Sequence, residues 1–151
     1  MQDRIFELPK EEATDAVCVD VMDLGQHETS WGMKHQVELV FELGQLKTSG
    51  YRHIVRKRSN LCFHEMATLA KDIQSWLGRD LADRSHNLTG LRSLIGRACR
   101  VEIKHNKSGD KTYANIVSIL PPGSSKLSPS GSYRTKEQWA EYNRSREVVS
   151  V

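Results

Sequence analysis

Hydrophobic residues along the chain keep a period of two, switch once to a helical period, and then switch back. Residues Asp15 to Leu24 (DAVCVDVMDL) alternate Val17, Val19 and Val21 with polar or small neighbours, and Gly25 closes the run, which predicts a strand ending at a turn. After the polar stretch QHETSWGMK, the segment HQVELVFEL places Val37, Leu39, Phe41 and Leu43 on one face and Glu38, Val40 and Glu42 on the other. A second, half-buried strand follows from that pattern. The turn-rich GQLKTSG leads into YRHIVRKR, where β-branched Ile54 and Val55 predict a third strand without marking which face is inward.

From His64 the spacing becomes helical. Met66, Leu69, Ala70, Ile73 and Leu77 fall at i, i+3, i+4, i+7 positions, Trp76 borders the stripe as a core residue, and Gly78 is a C-cap. The mixed stretch RDLADRSHNLTGLRSL carries Leu88, Leu91, Leu94 and Ile95, which suggest a short second helical turn before Gly96. Period two then returns: RACRVEIKH sets Cys99, Val101 and Ile103 against Arg100, Glu102 and Lys104, the polar hairpin NKSGDK turns the chain, and TYANIVSIL runs to Pro121 and Pro122. Beyond them GSSKLSPSGS has the composition of a flexible linker. Thr135 and Gln138 then resemble a capping box, so a short terminal helix carrying Trp139 and Tyr142 is expected.

Three strands, a helix and two strands between residues 15 and 122 is the element order of a five-stranded OB-fold barrel, an all-β fold with one main helix. The predicted organisation is an N-terminal arm (1–14), the barrel domain (15–122) and a flexible tail (123–151). A small barrel buries alternating Val, Leu and Ile without helices on both faces, which suits strands with one polar face.

Composition sharpens this little, but charge placement does more. Of the 151 residues, 38% are hydrophobic and 27% charged, as in one globular domain, and no apolar run approaches the roughly 18 residues of a membrane span. The acidic start MQDRIFELPKEE lacks a signal-peptide layout, so a soluble, cytoplasmic protein is expected. Net charge is +3, yet residues 1–28 hold eight acids and two bases, leaving 11 acids and 20 bases, a net +9, for the rest. A basic body favours polyanionic partners. Cys18, Cys62 and Cys99 are widely spaced, with no CxxC pair, and read as small buried apolar residues.

On an OB barrel, nucleic acid crosses strands 2 and 3 between the loop joining strands 1 and 2 and the loop joining strands 4 and 5. Here Lys47 to Asn60 contain Lys47, Arg52, Arg56, Lys57 and Arg58 with no acid, and Tyr51 and His53 lie among them. His27, Trp31 and Lys34 fall in the first loop; Lys104, His105, Lys107 and Lys111 surround the second, with Tyr113 just beyond. Cations track phosphates and ring faces stack on bases. The same RHIVRKR run would also serve as a charged strand edge that blocks aggregation, and Glu38 and Glu42 would repel phosphates unless paired with the third strand's arginines. Catalytic motifs are missing: there is no GxxxxGK, HExxH or GxSxG, and Asp20 and Asp23, three apart on a strand, are expected on opposite faces, which spoils a shared metal site. No enzyme activity, metal or cofactor is therefore expected.

The phrases CVDVMDLG, VELVFEL, HEMATLAKDIQSWLGRDL, LIGRACRVEIKH and YANIVSILPP resemble a family of bacteriophage OB-fold proteins assigned to single-stranded DNA binding in replication or recombination. The resemblance rests on Cys18, Asp23, Leu24 and Gly25; Phe41 and Glu42; Trp76, Gly78 and Arg79; Gly96 and Cys99; and Tyr113, Ala114 and Ile116, covering residues 16–122. The chain departs from the family in reading PKEEAT where a Pro-x-Gly is common, and in having Asn60 and Cys62 at the helix entry. Its tail is not acidic, since Pro121 to Val151 holds five bases and three acids. The resemblance implies a non-enzymatic single-stranded DNA-binding protein, largely sequence-independent, working in a host cytoplasm. Expected carriers are Arg52, Arg56 and Arg58 for phosphates, Trp31, Tyr51 and Tyr113 for stacking, and Lys34, Lys104, Lys107 and Lys111 as a basic rim. Replication or recombination proteins, and a second copy as a homodimer, are further expected partners. The alternative is an interaction adaptor that docks a polymerase, helicase or recombinase through the barrel groove or the Trp139 tail.

Overall fold

A computed structural model of the protein describes residues 7–64, 66–78 and 87–149, with side chains as far as residue 144. Its strands are β1 (Ala13–Thr29), β2 (Gly32–Leu46), β3 (Arg52–Asn60), β4 (Ala98–Ser108) and β5 (Lys111–Leu120). Its helices are α1 (Thr68–Leu77), α2 (Leu88–Arg92) and α3 (Lys136–Val149). The first six residues of the expected arm and the stretch 79–86, including Arg79, lie outside the described residues.

All five alternating segments pair into one antiparallel sheet in the order β3-β2-β1-β4-β5. The sheet is not closed into a barrel: β3 and β5 are its two edges. The inner face carries the main core, with Ala16, Cys18 and Val21 from β1, Val37, Leu39, Phe41 and Leu43 from β2, and Cys99, Val101 and Ile103 from β4. Helix α1 lies against β3 and β5 and inserts Leu69, Ile73 and Trp76. The Trp76 ring meets Phe41 with centroids 5.8 Å apart, and its Nε1–H donates to the Ala98 carbonyl at 2.9 Å, so the one polar atom of a buried indole is satisfied. Burying such a ring contributes about 4–6 kcal/mol of transfer free energy, before the entropy of ordering it. Gly78 ends α1 in the left-handed region at φ 69°, its N–H donating to the Gln74 carbonyl. Met66, expected on the helical stripe, precedes the helix and is exposed, and Ile95 is also exposed beyond α2.

The alternating valines of β1 do not share one face. Pairing with β2 shifts register between Cys18 and Asp20, so Val17 and Val19 point to the outer face while Val21 returns to the inner one. A bulge adds a residue to one strand and inverts everything after it, and no periodicity count sees it in advance. Gly25 does not end the strand either; it sits at a second register shift with φ 74°, and β1 runs on to Thr29. The polar stretch expected as a loop is therefore a β-hairpin whose loop is only Ser30 and Trp31, shaped by Thr29, whose Oγ1 accepts from the Trp31 N–H at 3.1 Å. The β4–β5 hairpin turns on Gly109 and Asp110, with glycine at φ 64° in the first central position that a type II′ turn requires.

Cys18 and Cys99 are buried, as read from the sequence, but Cys62 is exposed after β3. Burial pushes the Cys18 thiol up to about 12 and raises that of Cys99 as well. A disulfide-exchange reagent at pH 8 is accordingly expected to modify Cys62 promptly in the folded protein, and Cys18 and Cys99 only as it unfolds. Mass spectrometry of the reacted peptides reads this directly, and prompt modification of Cys18 would contradict the packing of β1.

Candidate functional site

Alternation along β3 sends Arg52, Ile54, Arg56 and Arg58 to the outer face and His53, Val55, Lys57 and Ser59 inward. Lys57 consequently reaches the α1 carboxylate of Asp72 at 2.7 Å and is not part of any outer groove. The outer face also carries a second apolar cluster of Val17, Val19 and Val40, with Met22 and Ile54 at its margin. Such a patch needs a cover, and the segment expected as a flexible linker supplies it: Leu127 and Tyr133 pack onto these valines.

Two acids on the same face tie the segment down. Glu42 is 1% exposed, and its carboxylate accepts from the Ser130 N–H at 2.9 Å, the Ser130 hydroxyl at 2.7 Å and the Arg52 guanidinium at 3.1 Å. Arg52 donates again to the Ser128 carbonyl at 2.6 Å. Asp20 accepts the Tyr133 hydroxyl at 2.8 Å, while its other oxygen accepts the Val21 N–H at 2.8 Å. Burial, and then the neighbouring Asp20 carboxylate, push the Tyr133 phenol up to about 12, which keeps it a proton donor. Residues 127–133 are thus a strap across β1, β2 and β3.

The strap leads into α3, whose start is a capping box: the Thr135 N–H donates to Gln138 Oε1 at 2.8 Å and the Gln138 N–H donates to Thr135 Oγ1 at 3.1 Å. Arg134, just before it, lies over the Trp139 ring at 5.3 Å and the Tyr142 ring at 4.9 Å, and the two rings meet edge to face at 5.7 Å. Strap, α3 and β3 together enclose a groove of about 410 Å³. Among the described residues, Lys47, Arg52, Arg56, Arg134 and Lys136 bring five cations to it, Tyr51, Tyr133 and Trp139 bring three rings, and Glu42 is its one acid. Because Arg52 already neutralises Glu42, the free charge of the groove is cationic.

A second groove, of about 770 Å³, opens between the facing edges of β3 and β5 and is lined by Lys47, residues 53–56, residues 110–115 and the arm residues Glu7, Leu8 and Pro9. Lys47, Ile54 and Arg56 line both grooves, which makes them neighbours across β3. Glu7 gives its carboxylate to the Thr48 N–H and hydroxyl, and Pro9 accepts from the His105 ring at 2.7 Å, so the arm is moored at both ends of this opening.

These placements divide the expected site residues. Tyr51 and Arg56 line the first groove as cations and rings open to solvent, with Tyr51 62% exposed and Arg56 held loosely near Glu38 at 3.6 Å. Arg52 is the correction: it lines the groove, but its guanidinium is taken by Glu42 and Ser128. Lys111 and Tyr113 line the second groove. Arg58, Lys34, Lys104 and Lys107 are exposed on the strands but line neither groove, and Trp31 stands 82% exposed at the β1–β2 hairpin tip, also outside both. Arg134, Lys136, Tyr133 and Trp139 were not among the expected carriers. Their only mark in the sequence is the cluster YRTKEQW in a stretch otherwise composed like a linker.

Among the described residues no cluster of three or more His, Cys, Asp or Glu could hold a metal ion. Asp20 and Asp23 have separate engagements: Asp23 pairs with His35 at 2.5 Å and accepts the Gly25 N–H, which hold its carboxyl below the usual range. No described helix is long and apolar enough to cross a membrane.

Removing the Tyr133 hydroxyl leaves an Asp20 oxygen without its partner, so Tyr133→Phe is expected to lower stability by about 1–3 kcal/mol in urea unfolding. No change would mean that the strap is not held as described. Burial, and then the Lys47 charge, lower the pKa of His53 from its ordinary 6.5. With the folded value depressed, the unfolded chain binds the proton first as pH falls, so this part of the stability is complete above 6.5 and is lost on going down toward the folded value. The difference in Tm between wild type and His53→Gln should therefore be larger at pH 7.5 than at pH 5.5; a constant difference would contradict it. Compared with protein-family models and with curated proteins, the chain matches none of either.

Proposed function

We propose that the protein binds single-stranded DNA, largely without sequence preference, along the outer face of β2 and β3, in phage-type replication or recombination. We read its open five-stranded sheet, with a helix between the third and fourth strands, as an OB-type barrel whose β3–β5 seam is unpaired. The observation that carries the reading is the groove between β3 and the strap, where four cations and three rings remain once Arg52 has neutralised Glu42. Cations spaced among ring faces suit an unpaired strand, because phosphates and bases alternate along it and every base has a face to stack. The carriers differ from those a bare β3 would offer. Arg56 and Lys47 on the sheet side work with Arg134 and Lys136 on the strap side for phosphates, and Tyr51 and Trp139 stack. The resemblance of the strand and helix phrases to phage single-stranded DNA-binding proteins points the same way.

A docking adaptor is the second reading, favoured by the hairpin tip, where Trp31 and Met33 are 82% and 59% exposed and border no groove. It loses the free tail it would have used as bait, since residues 127–133 lie on the sheet.

Titration with a dT oligonucleotide, followed by tryptophan fluorescence, tests the first reading. With about three to five phosphates neutralised, log affinity should fall with log salt at a slope of roughly −2 to −3.5. Trp139→Ala should weaken binding by about 1–3 kcal/mol, which is about 5- to 150-fold. Arg134→Glu with Lys136→Glu should weaken it further and flatten the slope. Salt-independent binding, or affinity indifferent to all three substitutions, would overturn the assignment, and affinity lost only in Trp31→Ala would favour the hairpin tip.

A further inference from the structure

The seam between β3 and β5 is closed at one end and open at the other. At the closed end α1 packs on both strands and Lys57 is fixed to Asp72. At the open end the groove of about 770 Å³ has His53 in its wall, 6% exposed, within reach of the Glu7 charge. The accessible part of the imidazole lines the groove, where a ligand with a complementary polar edge can take the place of water at its ring nitrogens. The surrounding chemistry restricts what that ligand is. Tyr113 offers a ring face 47% exposed, while Lys47, Arg56 and Lys111 place cations around the groove. Of the two acids there, Glu7 is engaged by Thr48, and Asp110 sits in the β4–β5 turn. A flat ring with a polar edge and an attached anion satisfies all three features at once.

We infer that the open β3–β5 seam is a nucleotide pocket, in which a base turned out of the bound strand lies against Tyr113, bonds His53 through its polar edge, and leaves its phosphate to Lys47, Arg56 and Lys111. This inference deepens the reading of the β2–β3 groove and rests on it for the strand that delivers the base. Lys47, Ile54 and Arg56 belong to both grooves, so consecutive nucleotides can pass from one to the other over the edge of β3. A neutral imidazole has one donor and one acceptor, which suits the mixed donor and acceptor edge of a nucleobase. Burial keeps the His53 ring in that neutral form near pH 7.

The test uses the full chain, with the histidine side chains followed by multiple-bond ¹H–¹⁵N NMR and Trp139 followed by fluorescence. Saturating dTMP should shift the His53 ring resonances, assigned through His53→Gln; thymidine, lacking the phosphate, should need about tenfold higher concentration. Inorganic phosphate alone should leave the His53 ring unmoved. Tyr113→Ala, at an exposed side chain, should weaken dTMP about fivefold or more and serves as the variant if His53→Gln does not fold. If His53 stays unmoved by both dTMP and a dT oligonucleotide while Trp139 responds to the oligonucleotide, the pocket is overturned and the β2–β3 groove stands. If dTMP shifts His53 but the oligonucleotide leaves Trp139 unchanged, the pocket stands and the groove reading falls.

Discussion

A carboxylate buried to 1% exposure on the outer face of a sheet is the constraint from which the rest follows. An ion there costs several kcal/mol unless nearly every lone pair is met. Glu42 reaches that condition only through Arg52 on the adjacent strand and the backbone and hydroxyl of Ser130, a residue 88 positions away in sequence. The acid that would have repelled phosphates from an exposed sheet is thereby neutralised, and the same bonds bring the chain segment after β5 back across β1, β2 and β3. Tyr133 repeats the arrangement on Asp20, and Leu127 closes over the valines between them.

Covering the outer face changes what the sheet can do. An uncovered patch of Val17, Val19, Val40 and Ile54 would favour association over specific recognition. With the strap in place, the apolar part is sealed and only the margin of β3 stays open, where Tyr51 and Arg56 face Arg134, Lys136 and Trp139. The site is thus a cleft between a rigid sheet and a segment fastened to it. A wall that is already in place does not have to be ordered when a ligand arrives, which removes one of the costs of binding.

The fold was legible wherever local periodicity decides burial. Leu39, Phe41, Val101 and Ile103 alternate into the core, Leu69, Ile73 and Trp76 share one helical face, and Gly78 and the Thr135–Gln138 box mark helix ends as their local chemistry requires. Legibility failed where two strands had to agree. The shift between Cys18 and Asp20 depends on how β1 meets β2, so alternation alone did not show that Val17 and Val19 part from Val21 onto opposite faces. Of the groove linings, Tyr51, Arg56, Lys111 and Tyr113 could be named from cations and rings on or beside strands, because alternation and composition suffice to put such residues on a surface. Arg52 could not be removed from the set, nor Arg134, Lys136 and Trp139 added, since a serine-rich segment carries no local sign of the buried acid it will satisfy.

By itself, then, the sequence determined which segments extend, which coil, and which side chains are charged or aromatic, because these depend on neighbours one to four residues away. Only the tertiary structure decided which cations are free and which are taken, and on which face the valines lie. It also decided that β3 and β5 stay apart at one end around His53. Those outcomes depend on desolvation and pairing between residues from 10 to 113 positions apart, energies that exist only once the chain has closed on itself.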